Sequence, residues 1–423
     1  MRSVVLMTIS SLILTPAVWA DPTSDALDVL RQQVAQLTAT VQELTTTLQA
    51  QQQRLAQLAQ GQTPLAQTTT PPPSVSGARL GGGNIAPFNP EIGVVADMVG
   101  KLSESSADGE GNDKLSVREI ELVFGHPIDP YSRLDTTITF SDVENPDIEE
   151  AYITHWGLPG ELKAKIGRMR PKIGKASAMH GDSLDTVDEP LVVSKYLGKE
   201  GLFRTGVELT GFLPTPWTVV THELTAGVME GGVGDGGTLF GSSRRRPSFY
   251  THLKNFWELS DMTNAELGAT YLVGSKDADA RFEVNAFGLD TTLMHHFTPT
   301  NRLKWQSEAY LQDRKESFAI ADSGTRTNFD RNPWGLYTLL DYRVSPRIGV
   351  GGRVDYVEPV DLDPHTRARH GDAAYSSYLT LYQSEFSRWR LQFRHTDFAA
   401  GGDDNSVFVQ GTVAIGVHKH QLQ

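Results

Sequence analysis

The chain has 423 residues, with 51 acidic against 38 basic side chains, a formal charge of −13 and no cysteine. The missing cysteine excludes disulfides, thiolate metal centres and a lipid-modified cysteine anchor, and the acidic balance argues against general nucleic-acid binding, which needs a basic face. A mean hydropathy of −0.31 is too polar for a bundle of membrane helices. It suits membrane strands, in which only every second residue meets lipid.

In chain order, residues 1–20 read as a secretory signal. Arg2 supplies the charged end, Val4–Leu14 the apolar stretch and Val18-Trp19-Ala20 the small-residue cleavage site. The apolar stretch falls short of the roughly 20 residues of a membrane span. Residues 21–60 carry a heptad: Leu27, Leu30, Val34, Leu37, Val41, Leu44, Leu48, Gln51, Leu55 and Leu58 alternate spacings of three and four. A self-associating helical coiled coil is expected, with Leu30, Val34, Leu37, Val41, Leu44 and Leu48 as its core and the choice of dimer or trimer left open. Residues 61–89 read as a linker, stiff at Thr68–Pro73 and flexible at Gly81-Gly82-Gly83.

From residue 90 to the end, strand-like runs are separated alternately by tight turns and long polar insertions. Tight connections fall at Gly125–Pro130, Leu158–Gly160, Leu213–Pro216, Ser260–Thr263, Thr298–Asn301, Ser345-Pro346 and Ser387-Arg388. Long ones fall at Ser103–Lys114, Lys175–Thr205, Gly231–Arg246, Ser317–Asn332 and Glu358–Ala373, with shorter insertions at Asp142–Asp147 and Ala399–Asn405. Short turns at one end and long loops at the other are the pattern of a transmembrane β-barrel. About sixteen antiparallel strands are expected over 90–423. Several alternate with period two: Leu303, Trp305, Ala309 and Leu311 oppose Lys304, Gln306, Glu308 and Gln312, and Trp389, Leu391 and Phe393 oppose Arg388, Arg390, Gln392 and Arg394. With the N-terminal stalk in the periplasm, the long connections face outward from the cell. Trp156, Trp217, Trp257, Trp334 and Trp389 near strand ends suit aromatic girdles.

The third outward connection is the longest and carries His180, Asp182, Asp185, Asp188 and Glu189; the strand before it carries Lys163, Lys165, Arg168, Arg170 and Lys172. If the loop folds inward, acidic and basic groups facing each other across a constriction would set up a transverse field. The expected pore lining is Arg168, Arg170, Lys172, Arg353, Arg390 and Arg394. Lys163 and Lys165 have opposite parity to Arg168, Arg170 and Lys172. Either a bulge near Gly167 shifts the phase or one set lies beyond the membrane.

Several stretches carry a resemblance: Asn89–Gly93, Arg118–Phe124, Asp129–Tyr131, Ile148–Tyr152, Leu158–Gly174, Val187–Pro190 and Gly201-Leu202. Together they resemble a family of bacterial outer-membrane barrels related to the phosphate-selective porins, some labelled zinc-regulated outer-membrane receptors. The match covers about residues 89–215, with the basic Gly167–Gly174 motif its most specific part. It implies a channel, with anion preference, and Arg168, Arg170 and Lys172 are the positions carried over. The chain departs from that family in having only His180 after the motif and in lacking a terminal Phe after Ser406–Val417.

Other classes fit less well. A plugged active transporter has no room for its plug between signal and first strand, and no Ser/His/acid spacing suggests a hydrolase. Gly231–Gly237 has no following helix and reads as a loop. His295-His296 and His418/His420 sit where a polar girdle is expected. The reading is therefore an outer-membrane porin: a passive channel for small solutes or ions, without catalysis, cofactor or metal, homotrimeric and surrounded by lipid and lipopolysaccharide. The alternatives are a tether to peptidoglycan and a substrate-specific receptor.

Overall fold

A computed structural model of the protein describes residues 90–104, 114–142, 145–215, 219–319, 326–360 and 371–416. The signal, coiled coil, linker, Trp217 and the His418/His420 pair lie outside the described residues. The strands are β1 (Glu91–Ser103), β2 (Lys114–Asp129), β3 (Ser132–Phe140), β4 (Asp147–His155), β5 (Lys163–Met169), β6 (Arg204–Phe212), β7 (Val220–Met229), β8 (Ser248–Ser260), β9 (Thr263–Ser275), β10 (Glu283–His296), β11 (Arg302–Ala319), β12 (Arg326–Arg331), β13 (Trp334–Ser345), β14 (Ile348–Val357), β15 (Asp372–Ser384), β16 (Ser387–Asp397) and β17 (Asp403–Gly416). All pair antiparallel in one sheet, and β17 pairs with β1 from Gly93↔Gly416 to Ser103↔Ser406. Closure pairs the first strand with the last, as a membrane-spanning sheet requires. Both β12 and β13 pair with β11. They are two pieces of one stave, broken at Asn332-Pro333 where proline has no N–H for the ladder. The barrel thus has sixteen staves.

Period-two alternation sorts the wall. On β11, Trp305 and Leu311 are exposed outward, while Lys304, Gln306, Glu308 and Gln312 are buried inward. On β14, Val350 and Val354 oppose Arg353 and Asp355, and on β16 Trp389, Leu391 and Phe393 oppose Arg388, Arg390 and Gln392. The apolar set faces the bilayer side and the polar set the lumen. Tight turns at Pro130-Tyr131, Asp261-Met262 and Pro346-Arg347 close hairpins at one end. The turn expected at Ser387-Arg388 sits instead at Glu385-Phe386, where Ser384 pairs with Ser387. There the Phe386 N–H donates to Ser384 Oγ at 3.2 Å, a turn built on a serine hydroxyl without Gly or Pro.

Two irregularities position the site. No bulge shifts β5: its register with β4 and β6 is continuous. The strand ends at Met169, so Arg170 and Lys172 lie beyond it. Gly167 is needed for another reason. Its φ is 137°, and a Cβ there would stand 2.2 Å from the Ala151 carbonyl oxygen. The bulge lies in β4 instead. Thr137 pairs with Glu150 and Ile138 with Ile148, leaving Glu149 as the extra residue. Glu149 and Glu150, though adjacent, are therefore both buried.

Candidate functional site

The connection from β5 to β6, residues 170–203, folds into the lumen and is held on two flanks of different chemistry. One flank is apolar. Pro190 precedes a short helix, α1 (Leu191–Tyr196), which buries Leu191, Val192, Val193 and Tyr196. They join Tyr337 and Leu339 of β13, Val357 of β14 and Ala374 and Tyr378 of β15 in one cluster. Full burial of such a side chain stabilises by about 1.5–3 kcal/mol. The Tyr196 hydroxyl donates to the Glu358 carbonyl at 2.9 Å. The 230–247 connection locks the helix end: the Gly234 N–H donates to Leu197 O and the Leu239 N–H to Tyr196 O, each at 2.9 Å. On β11, Glu308 accepts the Lys175 and Ala176 amides at 3.0 and 2.9 Å.

The other flank is charged. Asp188 accepts from Arg353 of β14 at 3.0 Å and from Arg394 of β16 at 2.7 Å, and also from Gln392. Arg353 is 1 % exposed, and it also pairs with Asp355, whose other oxygen accepts the Leu191 amide at 3.0 Å. Burial alone would raise the Asp188 carboxyl, but the two guanidiniums outweigh it and hold it below the usual range. Asp185 pairs with Lys304 of β11 and is likewise lowered. The Asp182 carbonyl accepts from Arg388, and the Thr186 carbonyl accepts from Arg390 at 2.9 Å. Arg118 of β2 donates to the Val187 carbonyl and pairs with Asp97 of β1. Glu189 differs from its neighbour. Its backbone carbonyl accepts from Arg353 at 3.2 Å, while burial of its carboxyl, opposed by Arg170, pushes it up to about 8.

His180 reaches the wall at β2 and β4. Its Nδ1 lies 3.3 Å from Glu121 of β2 and 3.2 Å from Glu149, and its Nε2 lies 3.3 Å from Glu150. Arg170 pairs with Glu149 and donates to the Met179 carbonyl at 2.8 Å and to the Glu200 carbonyl.

Two cavities run along this charged flank. The wider, 490 Å³, is bordered by Arg118, Arg168, Lys199 and Arg204 together with Glu119, Asp147, Glu200 and Asp235. The narrower, 270 Å³, adds Glu149, Arg170, Asp188, Glu189 and Arg394 and shares Arg118, Glu119, Lys199 and Glu200 with the first.

The expected opposition of charges across a gap is thus corrected to direct contact: the acidic loop residues touch the basic wall. Arg353 and Arg390 point inward but are sealed beneath the loop, so they do not face open water. Arg170 and Arg394 border the narrower cavity, and Arg168 borders the wider one while pairing with Asp147 at 3.0 Å. Lys172 stands apart, 3.5 Å from Glu223 of β7. The sequence reading missed Arg118, Glu121 and Glu149–Glu150. Glu119 and Glu121 alternate with apolar residues on β2, which was a usable signal; the turn of Glu149 depends on the bulge, which has none.

No family model matches the chain. A protein of Aquifex aeolicus, described only as uncharacterized, is 26% identical over 360 residues, covering 74% of this chain and 76% of its own length. Among solved structures, Salmonella typhi OmpF, in complex with daunomycin, has a TM-score of 0.53 at 8% identity, covering 78% of this chain and 99% of that one. The outer membrane channel DcaP of Acinetobacter baumannii has a TM-score of 0.49 at 12% identity, covering 77% and 96%. Pseudomonas putida OprB likewise gives 0.49 at 11% identity, covering 77% and 94%. The likeness to OmpF is one of fold: the closed antiparallel barrel of this chain is the barrel of that protein.

Proposed function

We propose that the protein is an outer-membrane channel through which small hydrophilic solutes diffuse passively, without catalysis, along the charged flank of the 170–203 loop. The observation that carries this is the pair of adjoining cavities between that flank and the wall at β2 and β4, the narrower of which reaches Leu191 and Ser194 at the edge of α1. The lining of the wider cavity is balanced, and that of the narrower is slightly acidic. Arg118, Arg168, Lys199 and Arg204 meet as many carboxylates in the wider cavity. This favours solutes that carry both charges, or strong dipoles, over selection by sign; the anion preference implied by the resemblance gains no support from the lining. The reading includes a secreted precursor, an N-terminal periplasmic coiled coil and a homotrimer in lipid and lipopolysaccharide.

Planar-bilayer recording of the purified protein tests this. Discrete steps of small conductance, with a reversal potential near zero under a salt gradient, are expected. A strongly anion-selective potential would return control to an arginine-lined path. Silence from demonstrably folded protein would sink the channel and favour a wall-tethering role.

A further inference from the structure

We propose that His180, Glu121 and Glu149 form a site for one divalent transition-metal ion of the zinc class, which staples the lumenal loop to the barrel wall. Three side chains from three segments each offer one ligand atom, and these atoms lie within 4.8 Å of one another, all on buried residues. The two spacings from the imidazole match a coordination shell. A tetrahedral ion with bonds of about 2.0–2.1 Å sets its ligand atoms about 3.3 Å apart. The His180 Nδ1 stands 3.3 Å from Glu121 Oε1 and 3.2 Å from Glu149 Oε1. One imidazole N–H can point at only one of two oxygens, whereas an ion engages both. Oε1 of Glu121 and Oε2 of Glu149 accept no hydrogen bond among the described residues, although both groups are nine-tenths buried or more.

The outer shell is also in place. A metal-bound histidine typically gives its second ring nitrogen to a carboxylate. Here Nε2 lies 3.3 Å from Glu150 Oε2. Glu149 is oriented by Arg170. Charge points the same way: Glu121, Glu149 and Glu150 surround His180, and of these carboxylates the Arg170 guanidinium pairs with Glu149, so the cluster is rich in carboxylate oxygen. One nitrogen and two carboxylates suit zinc-class ions better than Ca²⁺ or Mg²⁺, which require six or more oxygens. The narrower cavity, bordered by Glu149 and Gly181, supplies an entry route and room for a water as fourth ligand. The site stands whether or not the barrel conducts.

The test is Co²⁺ titration of the full-length, chelator-stripped protein in detergent, read by visible absorption. One Co²⁺ per chain with the intense band of a tetrahedral site, displaced by Zn²⁺, is expected. His180→Gln and Glu121→Gln should each weaken binding by at least about 100-fold, since even outer-shell changes cost about 10–100-fold. Glu150→Gln should fall within that outer-shell range. Persistence of the band in His180→Gln overturns the proposal, as does its absence from the wild type. Should the inner variants fail to fold, a variant with His295, His296, His418 and His420 all changed to Gln decides. Retained binding there supports the site, and lost binding places the metal elsewhere and overturns it.

Discussion

The two flanks of the lumenal loop solve the same problem by opposite means. Around α1, apolar side chains are sealed against β13, β14 and β15. Around Asp188 and His180, the loop is held almost entirely by charges and hydrogen bonds to β2, β4, β14 and β16. Dispersion and burial are non-directional, so the apolar flank packs densely and meets the narrower cavity only at its edge, through Leu184, Leu191 and Ser194. Ion pairs need orientation and leave polar gaps, so the charged flank is where water and solute fit. The arrangement implies that one flank fixes the loop and the other sets the opening.

The sharpest way to break this contrast is Asp188→Ala. It removes the carboxylate shared by Arg353 and Arg394 and leaves Arg353 with Asp355 and the Glu189 carbonyl, so the cost stays below the roughly 3–5 kcal/mol of a fully uncompensated buried charge. The expected outcome is a barrel that still folds, with a loop released on its charged side. Single-channel conductance should rise, and protease should cut within 170–203. Unchanged conductance would mean that the charged flank does not control the opening.

Next in size is Leu197→Ala, at a side chain with no exposure. A large-to-small change in such a place costs about 2–5 kcal/mol. The temperature at which the folded electrophoretic band is lost should fall, while conductance should change less than for Asp188→Ala. If both variants open the channel equally, the two flanks are not functionally distinct.

Much of the barrel was legible because its signals are local. Alternation on β11 and β16 needs only period two, and the long-short rhythm of connections needs only turn residues. The loop's place was legible from its length, and its acidic residues from their identity. What they touch was not. Asp188 meets Arg353 and Arg394, 165 and 206 residues away, and such pairings depend on closure of the whole sheet. The apolar run Leu191-Val192-Val193, with Leu197 and Leu202, was a readable sign that this loop packs against something. Attention to its charges hid it. The expected bulge at Gly167 failed because a change of parity has two causes, a bulge or a strand end: Arg170 and Lys172 lie beyond the end of β5, while Arg168 stays in register within it, on the parity opposite to Lys163 and Lys165.

The finest test sets Asp188 against Glu189, neighbours with opposite titration. Glu189 has its folded-state pKa pushed up to about 8 from an ordinary 4.5. Its neutral form is the one the fold prefers. Its contribution to stability is therefore complete below pH 4.5 and is lost as pH rises towards 8. Asp188 is lowered, so its contribution is present above the ordinary Asp range and is lost as acid protonates the folded carboxylate. Glu189→Gln should leave the unfolding temperature unchanged near pH 4, raise it relative to wild type by pH 8, and flatten the curve between. A difference that is the same at both pH values would show that Glu189 acts through shape and not through charge. The acid limb should survive in this variant, because it belongs to Asp188 and its guanidinium partners.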